Sequence, residues 1–85
     1  MRHARAEDLD RVDALLDELR LIDGLTEKTR GVFYVRSKAF LHFHEHEGEI
    51  LCDVRLAGSD FDRRIVTATP AQRALVLDVR SAVAS

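Results

Sequence analysis

Residues 39–56 constrain the fold most strongly, because their side chains sort cleanly onto the two faces of a hairpin. The sorting follows if Glu47 and Gly48 form a two-residue turn, with glycine at a positive φ. One face then carries only apolar residues, in the cross-strand pairs Ala39–Leu56, Leu41–Val54 and Phe43–Cys52. The other face carries the pairs Phe40–Arg55, His42–Asp53 and His44–Leu51. A shift of one residue would mix the two sets, so the pattern predicts this register.

Hydrophobic periodicity along the rest of the chain predicts one α+β domain. Apolar residues three or four positions apart predict a helix over residues 6–23, followed by a loop over residues 26–30. Alternation with a period of two predicts an antiparallel meander of three strands, Val32–Val35, Ala39–Glu45 and Glu49–Leu56. Residues 65–67 are either a short fourth strand or the end of a helical turn. Thr69 as a cap, Pro70 and Gln72 predict a C-terminal helix that ends near Ala84. Both helices are expected to cover one face of the sheet.

The opposite face of the sheet has no predicted cover within the chain. It presents the candidate ligand-binding or interface residues, which are Phe40, His42, His44, Asp53, Arg55 and, depending on the register of the first hairpin, Phe33 or Tyr34. That register stays open, because turns at Arg36-Ser37 and at Ser37-Lys38 both fit the sequence. For the two aromatic side chains Tyr34 and Phe40, packing in the core or an interface is favoured over stacking on a ligand.

The segment His42-Phe43-His44 carries the chain's clearest chemical pattern. Residues i and i+2 of a strand point the same way, about 7 Å apart, so both imidazoles can reach one ion. Asp53, directly opposite, either ligates the same ion or orients His42. These three residues are therefore a candidate site for zinc or another divalent metal, and no other cofactor is predicted. An ordinary polar or interface face, in which His42 and Asp53 form a cross-strand ion pair, is favoured over the metal site.

The predicted His42–Asp53 pair implies a direction for one pKa. A carboxylate beside His42 should raise the pKa of the imidazole above its unfolded-state value. The pair would then stabilise the fold at low pH, and its contribution would fade as the pH rises through the raised pKa.

Composition narrows the classes of function. The 85 residues include one Cys, which excludes a disulfide framework and a four-Cys zinc site. No apolar run reaches the roughly 18 residues of a membrane span, and no secretory signal is visible, so a cytoplasmic location is predicted. A net charge of −2 with mixed signs disfavours nucleic acid as a partner. We see no nucleophile–base pair and no phosphate-binding loop, so the pattern leans against an enzyme.

Half of the chain resembles a known family. A leucine-rich helix is followed by Asp23-Gly24-Leu25-Thr26-Glu27, Phe40-Leu41-His42-Phe43-His44 and Asp53-Val54-Arg55-Leu56. Over residues 15–56 this order is similar to the small bacterial domain labelled "luciferase-like". The chain departs from that pattern at Arg36-Ser37, where members tend to carry Gly-Gly, and after residue 56. The resemblance implies a compact α+β domain of unestablished role, and His42, His44 and Asp53 match its pattern. A looser similarity is to the YjbR/MmcQ type of small domain.

Two functions are expected from these features. The first is a module that associates with a second copy, as a homodimer, or with a protein partner through the open sheet face. So short a chain buries limited surface by itself, and Val76 and Leu77 widen the apolar arc of the last helix. The alternative is a domain that binds a metal or small ligand through the two histidines and Asp53.

Overall fold

The computed structural model describes all 85 residues. They form six strands, which are β1 (Arg2–His3), β2 (Thr26–Thr29), β3 (Val32–Val35), β4 (Lys38–His46), β5 (Glu49–Val54) and β6 (Asp62–Ile65). The three helices are α1 (Ala6–Asp10), α2 (Asp13–Arg20) and α3 (Thr69–Ala84). The strands form one antiparallel sheet in the order β2-β3-β4-β5-β6, and β1 pairs with the second half of β4. The predicted α+β fold, with a helix on either side of a meander in the sequence, is confirmed.

The predicted register of the β4–β5 hairpin is confirmed. Leu41 pairs with Val54, His42 with Asp53, Phe43 with Cys52 and His44 with Leu51. Glu47 and Gly48 form the turn with φ angles of 51° and 84°. The first hairpin turns at Arg36-Ser37, where both φ angles are positive, at 51° and 69°. Both turns therefore use the left-handed backbone that a two-residue hairpin loop requires.

A β-bulge in β4 changes which way residues 39 and 40 face. Phe33 pairs with Leu41 while the next residue, Tyr34, pairs with Ala39, so Phe40 is an extra residue between the two pairs. Phe40 belongs to the buried apolar cluster and is only 8% exposed. The prediction that placed Phe40 on the open face therefore fails, because the bulge breaks the alternation on which that prediction depended.

The core lies between the sheet and the helices. Completely or almost completely buried side chains come from α2, from α3 and from the central strands: Leu15, Leu16, Leu19, Phe33, Leu41, Cys52, Val54, Leu75 and Val79. Burying each large apolar side chain stabilises the fold by about 1.5–3 kcal/mol. Arg64 on β6 reaches Asp78 on α3 at 2.6 Å, which ties the edge of the sheet to the same layer.

The helix predicted over residues 6–23 is two shorter helices. The backbone leaves the helical region at Val12, with φ −119° and ψ 26°, yet Val12 and Leu9 stay buried. Leu9 packs directly on Gly31, where an added Cβ would lie 2.8 Å from a methyl carbon of Leu9. The apolar stripe predicted the buried residues correctly, but periodicity alone does not show a break that keeps them buried.

The predicted loop over residues 26–30 is wrong, because residues 26–29 form β2. The strand has no apolar alternation, since it lies at the edge of the sheet with mostly exposed side chains. Its Glu27 carboxylate binds the Arg20 guanidinium at 2.6 Å and accepts a hydrogen bond from the Gly31 amide at 2.9 Å. Tertiary contacts to a charged side chain therefore hold this strand in place.

The tail also differs from the prediction in detail. The fourth meander strand is β6 at residues 62–65 rather than 65–67. Ala68 rather than Thr69 is the N-cap of α3, and no side chain caps it. Gln72 instead donates a hydrogen bond to the carbonyl of Val66 at 2.9 Å. None of the three helices is long and apolar enough to cross a lipid bilayer.

Candidate metal centre

The fold brings His42, His44 and Asp53 together on the face of the sheet that points away from the helices. One oxygen of Asp53, Oδ2, lies 3.4 Å from Nε2 of His42 and 3.1 Å from Nε2 of His44. One potential ligand atom from each residue falls within 4.8 Å of the other two. The hairpin register is responsible, because it sets Asp53 directly opposite His42.

Arg63 holds the carboxylate of Asp53 from the neighbouring strand. The two residues pair across β5 and β6, and the guanidinium donates two hydrogen bonds, from Nε to Oδ1 at 2.7 Å and from Nη2 to Oδ2 at 2.8 Å. This contact is the main reason that the pKa of Asp53 lies below its ordinary value, while burial acts in the opposite direction. Asp53 is thus an oriented and ionised carboxylate.

Two aromatic rings cover part of the face that the sequence left uncovered. His3 on β1 stacks on His44, with ring centroids 4.8 Å apart and an interplanar angle of 30°. Phe61 meets His42 edge-on at 5.2 Å, and the Arg55 guanidinium lies over the other side of Phe61 at 4.5 Å. The expectation of a face without intrachain cover is therefore wrong, because His3 on β1 and Phe61, which precedes β6, both place rings on this face.

Burial reverses the expected direction of the shift in the pKa of His42. His44 and Asp53 are only 9% and 7% exposed, and His42 is half-buried beside them. Desolvation and the neighbouring His44 lower the pKa of His42, and they outweigh the carboxylate of Asp53, which raises it. The predicted pairing is present, but the predicted increase in pKa is wrong. His42 is a neutral imidazole at neutral pH, which is the protonation state that a metal ligand needs.

The other predicted site residues lie outside this cluster. Tyr34 is partly buried, and its ring faces the Lys28 ammonium at 4.6 Å. It lies on β3, whereas Asp53 lies on β5, so β4 separates the two residues in the sheet. Phe40 packs in the apolar core. Arg55 reaches the cluster only through Phe61, and its Nε is buried without a hydrogen-bond partner.

Two of the three separations between the ligand atoms suit a tetrahedral ion. With bonds of about 2.0–2.1 Å, two ligand atoms of a tetrahedral zinc site lie about 3.3 Å apart. The Nε2–Oδ2 separations of 3.4 Å and 3.1 Å match that edge. Two imidazoles and a carboxylate also favour zinc and other transition metals over calcium or magnesium. The one thiol contributes nothing, because Cys52 is fully buried on the core side and burial raises its pKa.

Three residues of this region escaped the sequence analysis, namely His3, Phe61 and Arg63. His3 lies on a two-residue strand, which is too short to show any periodicity. Phe61 precedes β6, a segment whose alternation is obscured by charged side chains. The sequence does contain one signal for Arg63. It is a cation with no predicted partner, and it lies close to a segment that could pair with the strand carrying Asp53.

Comparison with protein-family models, with curated proteins and with solved structures found no match to this chain. The resemblance of residues 15–56 to the "luciferase-like" domain therefore stays a prediction. Any function has to be argued from the geometry of the site.

Proposed function

We propose that this chain is a binding domain for a divalent transition metal, with zinc as the reference ion and His42, His44 and Asp53 as ligands. The observation that carries the proposal is the approach of two imidazole Nε2 atoms to one carboxylate oxygen at 3.4 Å and 3.1 Å. These two separations are close to the edge of a tetrahedral zinc site.

The Asp53–Arg63 pair is compatible with metal binding. Each carboxylate oxygen has two lone-pair directions, so Oδ2 can accept the hydrogen bond from Arg63 and still ligate an ion. Ligating carboxylates in metal sites are commonly held by such hydrogen bonds, which fix their orientation. Arg63 then acts as the group that aims Asp53 at the two histidines.

Thermal unfolding of the untagged protein, stripped with a chelator, tests the proposal. Zinc at 100 times its dissociation constant should raise the melting temperature by about 10 °C or more. The double variant His42→Ala/His44→Ala should lose this increase. His46→Ala is the matched control, because His46 lies on the same strand but is exposed near the turn. An equal increase in the double variant would refute the proposal.

A second candidate function is self-association or binding of a protein partner, favoured by two exposed apolar side chains. Ile65, 56% exposed, lies on the same sheet face as the histidines, across Leu51 from His44. Leu77, 62% exposed, lines a groove of about 560 Å³ between α2 and α3. Both are candidates for contact with a second copy or another protein.

Sedimentation velocity distinguishes the two surfaces. If copies pair through the sheet face, Ile65→Lys should dissociate them, whereas Leu77→Glu should do so if they pair through the helical groove. Leu21→Glu is the control, because Leu21 is also exposed but lies at the end of α2. A wild-type chain that sediments as a monomer at high concentration would reject self-association.

A further inference from the structure

His3 is held directly beside the candidate metal centre by a strand of only two residues. β1 pairs His3 with His44 across the sheet, so both side chains point to the same face. The His3 ring centroid lies 4.8 Å from that of His44 and 6.3 Å from that of His42. The three imidazole rings therefore form one group, and two of them, His42 and His44, contact Asp53.

The residues on both sides of His3 are fixed to the body of the domain. The Arg2 guanidinium donates two hydrogen bonds to the carboxylate of Asp8, which is only 4% exposed, and it also approaches Glu45 at 3.4 Å. The amide of Ala4 donates a hydrogen bond to the carbonyl of Phe43 at 3.1 Å. Such anchoring lowers the entropy that His3 would lose on binding an ion.

We infer that His3 is the fourth protein ligand of the metal ion that the proposed function places at His42, His44 and Asp53, an inference that rests on that proposed function. Three imidazoles and one carboxylate complete a tetrahedral set. A site of this kind has no open position for water, so it holds the ion for structure or storage instead of using it for hydrolysis.

Binding would require His3 to turn its ring. Its nitrogens are outside the group of ligand atoms that already lie within 4.8 Å of one another. His3 is exposed, so rotation of its side chain sacrifices little packing beyond the stack on His44. The backbone of β1 can keep its pairing with β4 while the ring turns.

Zinc affinity, measured by competition with a chromophoric chelator, tests the inference on the untagged chain. His3→Ala should weaken zinc binding at least tenfold, since loss of a direct ligand should cost no less than loss of an outer-shell partner, about 10–100-fold. His3→Phe should weaken it equally, because phenylalanine keeps a ring on His44 but offers no nitrogen. His46→Ala should bind zinc as the wild type does.

Cobalt spectra provide a second readout. Wild-type protein loaded with Co²⁺ should show the intense visible bands of a four-coordinate ion with nitrogen and oxygen ligands, and His3→Phe should change them. Wild-type affinity and spectrum in His3→Phe would overturn the inference, and would assign His3 to packing alone. If His42→Ala/His44→Ala also binds zinc normally, the proposed function itself fails, so the two failures are distinguishable.

Discussion

Asp53 and Arg63 face each other across β5 and β6 and share two hydrogen bonds, of 2.7 Å and 2.8 Å. The carboxylate is nearly buried, while the guanidinium is half-exposed. This pair is the main reason that the pKa of Asp53 lies below its ordinary value, so it keeps an ionised carboxylate next to His42 and His44.

Replacing the carboxylate should destabilise the metal-free protein in a pH-dependent way. Asp53→Asn should lower the melting temperature by a few degrees at pH 7, because the amide cannot hold Arg63 as an anion does. The folded pKa of Asp53 lies below its ordinary value of 3.8, so this stabilisation is present above that pH. It is lost as the pH falls through the folded pKa.

The control for this change is Asp62→Asn on β6. Asp62 is exposed and forms no ion pair, so its replacement should leave the melting temperature nearly unchanged. Thermal melts of both variants at pH 7 and at a pH below the folded pKa of Asp53, located by NMR titration, provide the comparison. A loss of stability in Asp53→Asn that persists below that folded pKa would contradict the assignment to charge.

Arg63→Lys separates orientation from charge at the metal centre. Lysine keeps the positive charge near the ion but cannot hold Asp53 with two parallel hydrogen bonds. We expect zinc affinity to fall about tenfold, the usual effect of losing an outer-shell partner. Titration calorimetry measures this, with Arg64→Lys as control, because Arg64 pairs with Asp78 on the opposite layer. Equal affinities for the two variants would show that Arg63 does not orient the ligand.

His42 should make the metal-free protein less stable in mild acid. Its folded pKa lies below the ordinary value of 6.5, so the unfolded chain binds a proton more readily than the folded one. Stability is therefore fully present above pH 6.5 and declines as the pH falls through the folded pKa.

Two measurements check this direction. A titration followed by NMR in the presence of a chelator should place the pKa of His42 below 6.5, and His42→Gln should show a smaller loss of stability between pH 7 and pH 5. A measured pKa above 6.5 would mean that Asp53 outweighs desolvation.

The turn at Arg36-Ser37 should be open to stabilisation. Both residues adopt the left-handed backbone, with φ of 51° and 69°, which disfavours side chains. The double variant Arg36→Asn/Ser37→Gly carries the residues that this turn prefers, and it should raise the free energy of unfolding by about 1 kcal/mol. Chemical denaturation measures the change.

Gly48→Ala provides the converse test in the other hairpin. No atom lies within 4 Å of a Cβ built at Gly48, so the substitution tests the backbone alone, at a φ of 84°. It should lower the free energy of unfolding by about 1 kcal/mol. If Arg36→Asn/Ser37→Gly leaves the free energy of unfolding unchanged while Gly48→Ala lowers it, the Arg36-Ser37 turn is not strained.

The part of the fold that could be predicted from sequence is the part that local patterns specify. Glu47-Gly48 and the apolar alternation around it determine one register, and that register alone places His42 opposite Asp53. β2 could not be predicted in the same way, because an edge strand with polar side chains on both faces carries no alternation. The bulge at Phe40 was hidden for a similar reason, since it shows only in the pairing with β3.

The site could be predicted in its centre but not in its surroundings. His42 and His44 are neighbours in sequence, whereas His3 and Arg63 reach them from distant segments through strand pairing. The pKa of His42 depends on these surroundings as well as on Asp53, because burial and a second imidazole act against the carboxylate. Pairwise reasoning about two residues therefore gave the correct contact and the wrong sign.

The two outermost strands also influence how the chain behaves when it is crowded. β2 and β6 are each four residues long and carry charged side chains, Glu27 and Lys28 in one, Asp62, Arg63 and Arg64 in the other. Short, charged borders give a neighbouring molecule little backbone on which to extend the sheet. A concentrated solution of this aliphatic-rich chain should therefore resist growth into cross-β fibres.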